Sequence, residues 1–108
     1  LLLQRGAEIN LQGSNGWTAL MGAATNGCER VVELLVRRGA EVDLQSNGLT
    51  ALMTAAGNGH ERVVELLLQR GPEINEQGSN GVTALMEAAY RGHERVVDTL
   101  IRHGAEIN

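Results

Sequence analysis

NGLTALMTAAGNGHERVVELLLQRGPEIN, running from Asn47 to Asn75, decides how the rest of the chain is read. Upstream, from Asn15, stands NGWTALMGAATNGCERVVELLVRRGAEVD, and downstream, from Asn80, NGVTALMEAAYRGHERVVDTLIRHGAEIN. A piece of a further copy, LLLQRGAEIN, comes first, at Leu1 to Asn10. Units that recur at a fixed period cannot each bury their own apolar face, and close it by stacking on their neighbours. The chain is therefore read as a single repeat domain over residues 1–108, with a partial repeat at 1–14 and full repeats at about 15–46, 47–79 and 80–108.

The threonines give the period: Thr18 to Thr50 is 32 residues and Thr50 to Thr83 is 33. The difference is one deleted residue, because Leu11-Gln12-Gly13-Ser14-Asn15-Gly16 becomes Leu44-Gln45-Ser46-Asn47-Gly48. A deletion between two helical blocks marks that segment as a loop.

Within a unit, Thr18 precedes Ala19-Leu20-Met21-Gly22-Ala23-Ala24-Thr25, and its hydroxyl suits an N-cap. Asn26-Gly27 supplies a left-handed residue that stops this first helix. The second block, Cys28 to Arg38, carries Val31, Leu34 and Leu35 at i, i+3 and i+4, an apolar face that Val32 and Val36 widen. Glu29 stands early and Arg37-Arg38 late, the order the helix dipole favours. Gly39 ends the block. Asn-Gly at Asn15-Gly16, Asn47-Gly48 and Asn80-Gly81 signals a tight turn with positive φ at both positions. The fold expected is all-α: a solenoid of stacked antiparallel helix pairs, with hairpin-like finger loops protruding beside them and little regular strand.

Composition narrows the function. Aromatics are 2% and Phe is absent, so the apolar mass is Ala, Leu and Val, suited to thin helices packed closely. A formal charge of −4 argues against nucleic acid, which demands clustered basic groups. All nine basic residues are Arg, which removes a phosphate-loop lysine and a Schiff-base lysine alike. No apolar run approaches the roughly 20 residues that span a bilayer. No signal peptide is visible, and the one cysteine, Cys28, has no internal partner. An intracellular location, cytoplasmic or nuclear, is expected.

Several near-motifs fail on inspection. His60-Glu61-Arg62-Val63-Val64 opens like the zinc-protease H-E-x-x-H but has Val at the fifth position, and His93 to Val97 fails identically. Cys28, His60 and His93 occupy equivalent positions in successive units, but packed helices lie about 8–10 Å apart and zinc binds nitrogen or sulfur at about 2.0–2.3 Å. Cys28 reads instead as a half-buried replacement for His. Gly57-Asn58-Gly59 begins like a dinucleotide loop, with no strand before it. Ser14, Ser46 and Ser79 are loop residues outside any nucleophile constellation. Glu33 and Asp98 can pair with Arg37 and Arg102 at i, i+4. No catalytic residue, cofactor or metal is expected.

The period, the threonine opening the first helix, Ala-Ala followed by Asn-Gly-His, Val-Val-Glu-Leu-Leu and Gly-Ala-Glu-Ile-Asn together resemble the ankyrin repeat along the whole chain. One departure is systematic: that family usually opens with Thr-Pro-Leu-His, and all three copies here read Thr-Ala-Leu-Met. Met replaces a hydrogen-bonding His with apolar fill. Gly13 and Gly78 stand where the family commonly has Asp. The resemblance implies a non-catalytic interaction module whose concave side, made of fingers and first helices, binds a protein partner.

Framework positions hardly vary between copies, whereas Trp17/Leu49/Val82 and Thr25-Asn26/Gly57-Asn58/Tyr90-Arg91 do. These residues, with the finger residues Ser14, Asn15, Asn47 and Asn80, are the expected binding positions. Trp17 and Tyr90 are expected to bracket a partner, with Leu49 and Asn58 between them. The alternatives are a structural, self-associating array and an engineered, consensus-like scaffold without a natural partner. The apolar opening Leu1-Leu2-Leu3 and the closing unit with Val96, Val97, Leu100 and Ile101 suggest either a longer array or end-to-end association between molecules.

Overall fold

The computed structural model describes residues 9–13, 16–72, 74–78 and 81–105. Its helices are α1 (Ala19–Thr25), α2 (Glu29–Arg37), α3 (Ala51–Gly57), α4 (Glu61–Leu68), α5 (Ala84–Tyr90) and α6 (Glu94–Arg102). The first helices α1, α3 and α5 pack on one another in sequence, and so do the second helices α2, α4 and α6. Each first helix also packs on the second helix of its own unit. Among the described residues there is no sheet; the nearest approach to one is an isolated bridge between Ser46 and Leu49.

Local chemistry sets every helix boundary. Thr18, Thr50 and Thr83 each accept a hydrogen bond at Oγ1 from the Met three residues on, all at 3.2 Å. That satisfies one of the otherwise unpaired first-turn amides. At the other end, Gly27, Gly59 and Gly92 take φ values of 70°, 75° and 75°. The residue after each glycine donates its N–H back to Ala23, Ala55 or Ala88 at 3.0 Å, and the glycine itself donates to the next Ala. This paired closure is the Schellman arrangement, which needs a left-handed residue at the glycine position. The second helices start without a side-chain cap and carry Glu29, Glu61 and Glu94 in the first turn.

Small side chains let the first helices approach closely: Ala24, Ala55, Ala56 and Ala88 are fully buried. Met21 and Met53 are buried beside them, the apolar fill expected of Met at this position. In the middle unit Val63, Val64, Leu66, Leu67 and Leu68 are all buried, so α4 is apolar on both flanks.

The apolar face of the first second-helix differs from the sequence expectation. Val32 and Val36 are its buried residues and Leu35 is half-buried, while Val31 and Leu34 are 48% and 49% exposed. The cause is the stacking. Val63 and Leu66, the equivalents of Val31 and Leu34, bury on the flank toward the preceding unit, a flank that an i, i+3 count within one unit cannot assign. The last unit mirrors this: Met86 and Ile101 are 42% and 40% exposed, whereas their equivalents Met53 and Leu68 are buried. Asp98 pairs with Arg102 at 3.1 Å as the spacing suggests. In α4 the ion pair is instead Arg62 to Glu65 at 3.4 Å, and none joins Glu33 to Arg37.

Candidate functional site

The fingers position the first set of variable residues. In the middle finger Ser46 and Leu49 exchange both backbone hydrogen bonds, at 2.9 and 3.0 Å. Asn47 and Gly48 between them take φ of 53° and 76°, the positive pair that a two-residue hairpin requires. The flanking fingers close one residue later: Gly13 donates to Trp17 at 2.9 Å and Gly78 to Val82 at 2.7 Å. The one-residue deletion is absorbed wholly in this change of loop length. Ser14, Asn15 and Asn80 lie outside the described residues.

Neighbouring fingers touch backbone to backbone. A Cβ at Gly78 would overlap the Gly48 carbonyl and meet Met53 Sδ at 3.1 Å. Glycine at this position, where Asp is usual in the resembled family, is thus fixed by close approach. Polar side chains lace the stack: Gln12 Nε2 donates to the Gln45 carbonyl at 3.2 Å, Gln45 Nε2 donates to Glu76, and Asn10 accepts from Glu41 N–H at 2.8 Å.

The helix turns carry the second set. His60 Nε2 donates to the Thr25 carbonyl and His93 Nε2 to the Gly57 carbonyl, both at 3.0 Å. Asn58 Nδ2 adds a bond to the Thr25 carbonyl at 3.3 Å. Each histidine ring lies over the turn glycine of the unit before it, Gly27 or Gly59, where a Cβ would fall within 2.6–2.8 Å of ring atoms. Both histidines therefore serve as clasps between units. Cys28, at the equivalent position, is exposed rather than half-buried, so it is no like-for-like replacement. Among the described residues no three His, Cys, Asp or Glu side chains gather to hold a metal ion.

Between fingers and first helices lies a groove of about 160 Å³, lined by Trp17, Thr25, Leu49, Met53, Thr54, Gly57, Asn58, Glu87 and Arg91. It brings together six of the expected positions, one or more from each full unit. Trp17 and Leu49 also rest against the core. Tyr90 does not join them. It is 87% exposed and shares a separate shallow hollow with Met86 and Ala89. Val82 is half-buried on its finger, Asn47 is exposed at a finger tip, and Asn26 is exposed with its amide donating to the Gly22 carbonyl of its own helix at 3.0 Å.

Sequence reasoning missed Thr54 and Glu87. The signal was present, because Gly22, Thr54 and Glu87 are equivalent positions that differ in all three copies. A Cβ built on Gly57 would lie 3.0 Å from Glu87 Oε2, so Glu87 reaches over the bare backbone of the preceding unit.

A family model described as ankyrin repeats in three copies matches residues 1–78 and again 43–108. The chain belongs to the ankyrin repeat family. Ankyrin repeats are in general protein–protein interaction modules and typically non-catalytic. Among curated relatives, the chain is 46% identical over 43 residues to a protein named mitochondrial disaggregase from Bos taurus, covering 40% of this chain and 6% of that protein. It is 43% identical over 47 residues to "Ankyrin repeat and SAM domain-containing protein 6" from Rattus norvegicus, covering 43% of this chain and 5% of that protein. The matched segments thus span a small fraction of either relative. No helix among the described residues is long and apolar enough to cross a membrane.

Proposed function

We propose that the chain acts as one ankyrin domain that binds a protein partner on its concave side, through the groove between fingers and first helices. The observation that carries this reading is convergence. Residues that differ between copies (Trp17 and Leu49, Thr54 and Glu87, Gly57, Asn58 and Arg91) line one groove, while the caps, turn glycines and clasps around them stay nearly constant. The three copies keep one helix-pair fold while differing in what the groove presents. A photoreactive amino acid at Asn58, and in a second protein at Arg37 on the exposed side of α2, tests it. Crosslinks to a captured partner are expected from position 58 and absent from position 37. Crosslinking from position 37 alone would place the site on the opposite side.

A second reading, self-association through an apolar face of the third full unit, is favoured by the exposure of Met86, Ala89 and Ile101, whose equivalents Met53, Ala56 and Leu68 are buried. Sedimentation over a hundredfold range of concentration distinguishes the two. A rising mass that M86E and I101E abolish supports association, and a constant monomer mass dismisses it.

A further inference from the structure

We infer, on the basis of the concave-face reading above, that the groove takes one long basic side chain, arginine or lysine, from an extended segment of the protein partner. Its aliphatic stem lies along Trp17 and Leu49, and its cation sits on the Glu87 carboxylate.

Size limits the occupant first. The groove is small, about 160 Å³, and open to solvent along one side, which suits the insertion of a single side chain. The lining then selects its chemistry. On the finger side the lining is Trp17 and Leu49, joined by Met53. On the α5 side stands a carboxylate. An apolar stem ending in a charge is the form of Arg and Lys, which bury their methylenes and keep the head polar. A cation near an indole face gains further attraction.

Glu87 is the decisive residue. It is half-buried, and its carboxylate has no hydrogen bond or ion pair among the described residues. Arg91 follows one turn later and its backbone N–H donates to the Glu87 carbonyl at 3.3 Å, yet its guanidinium makes no ion pair with the carboxylate. Gly57 leaves the floor beside that carboxylate without a side chain. The groove therefore presents a carboxylate that makes no ion pair, next to open space, with the Arg91 guanidinium on the same lining but not engaged with it. The net charge of −4 draws basic segments in the same direction.

The test is panning of a random peptide library on phage against the intact chain, followed by affinities for the wild type, E87Q, G57A, W17A and R91A. Recovered peptides are expected to share an Arg or Lys beside an apolar residue. Their affinity should fall roughly tenfold or more in E87Q, the size of a lost charged hydrogen bond, and should hold or rise in R91A. G57A should weaken binding comparably, because its methyl would stand 3.0 Å from Glu87 Oε2 and push the carboxylate aside, and its thermal midpoint is measured alongside to separate binding from folding. Peptides that share an acidic residue, lose binding in R91A and keep it in E87Q would overturn the basic occupant and leave the concave face standing. Binding indifferent to E87Q, G57A and W17A alike would overturn both. An exhausted library with no recovered peptide would also count against the basic occupant.

Discussion

Two glycines with one backbone conformation separate strain from packing. Gly59 and Gly92 both have φ of 75°, but a Cβ at Gly59 would meet the His93 ring at 2.7–3.1 Å, whereas nothing lies within 4 Å of one at Gly92. G92A should cost about 1–2 kcal/mol, the penalty for a left-handed alanine. G59A should cost at least about 1 kcal/mol more, since the ring and its bond to the Gly57 carbonyl must shift. Urea denaturation of both variants measures this. A double-mutant cycle with H93A should recover the excess, and equal costs for the two glycine variants would remove the histidine clasp from the account.

At the scale of elements, caps and fingers make separate claims. T50A deletes the cap that accepts from Met53 N–H and should cost about 1 kcal/mol. G78A forces the third finger off the Gly48 carbonyl and should cost about 2 kcal/mol or more, because backbone rather than a flexible side chain must move. A G78A protein with wild-type stability would show that the fingers need no close approach. Caps, stops and the Asn47-Gly48 turn were all legible in the sequence, because each is decided within a few residues. The α2 face was not, since Val31 and Leu34 are exposed while their equivalents Val63 and Leu66 are buried, and a count inside one unit cannot say which flank a neighbour covers. Glu87 escaped for a different reason. It lies mid-helix among helix formers, and only its reach across Gly57 of the preceding unit gives it a role.

For the whole molecule, stability should follow position in the stack more than residue type. Leu67 is fully buried between neighbours, and L67A should cost about 2–5 kcal/mol. Ile101, in the last unit and 40% exposed, should cost roughly 1 kcal/mol or less on the same truncation. Denaturation of the two variants checks the ratio, and equal costs would argue against a stack whose cohesion lies between units. That architecture was legible from the period alone, whereas the separation of Tyr90 from Trp17 was not. Tyr90 stands where Thr25 and Gly57 stand, but no described unit follows to form the far wall of a groove for it.

The clasp and the reach of Glu87 share a consequence for anyone who recombines these copies. The chemistry particular to each copy is paired across boundaries: Thr25 with Asn58 and His60, Gly57 with Glu87 and His93. A cassette cut from 47 to 79 would carry half of two such pairs and transplant neither. One cut from Gly57 to His93 would straddle a boundary and bring its junction intact. In this protein the exchangeable part is the seam, and the visible repeat is only the cloth on either side of it.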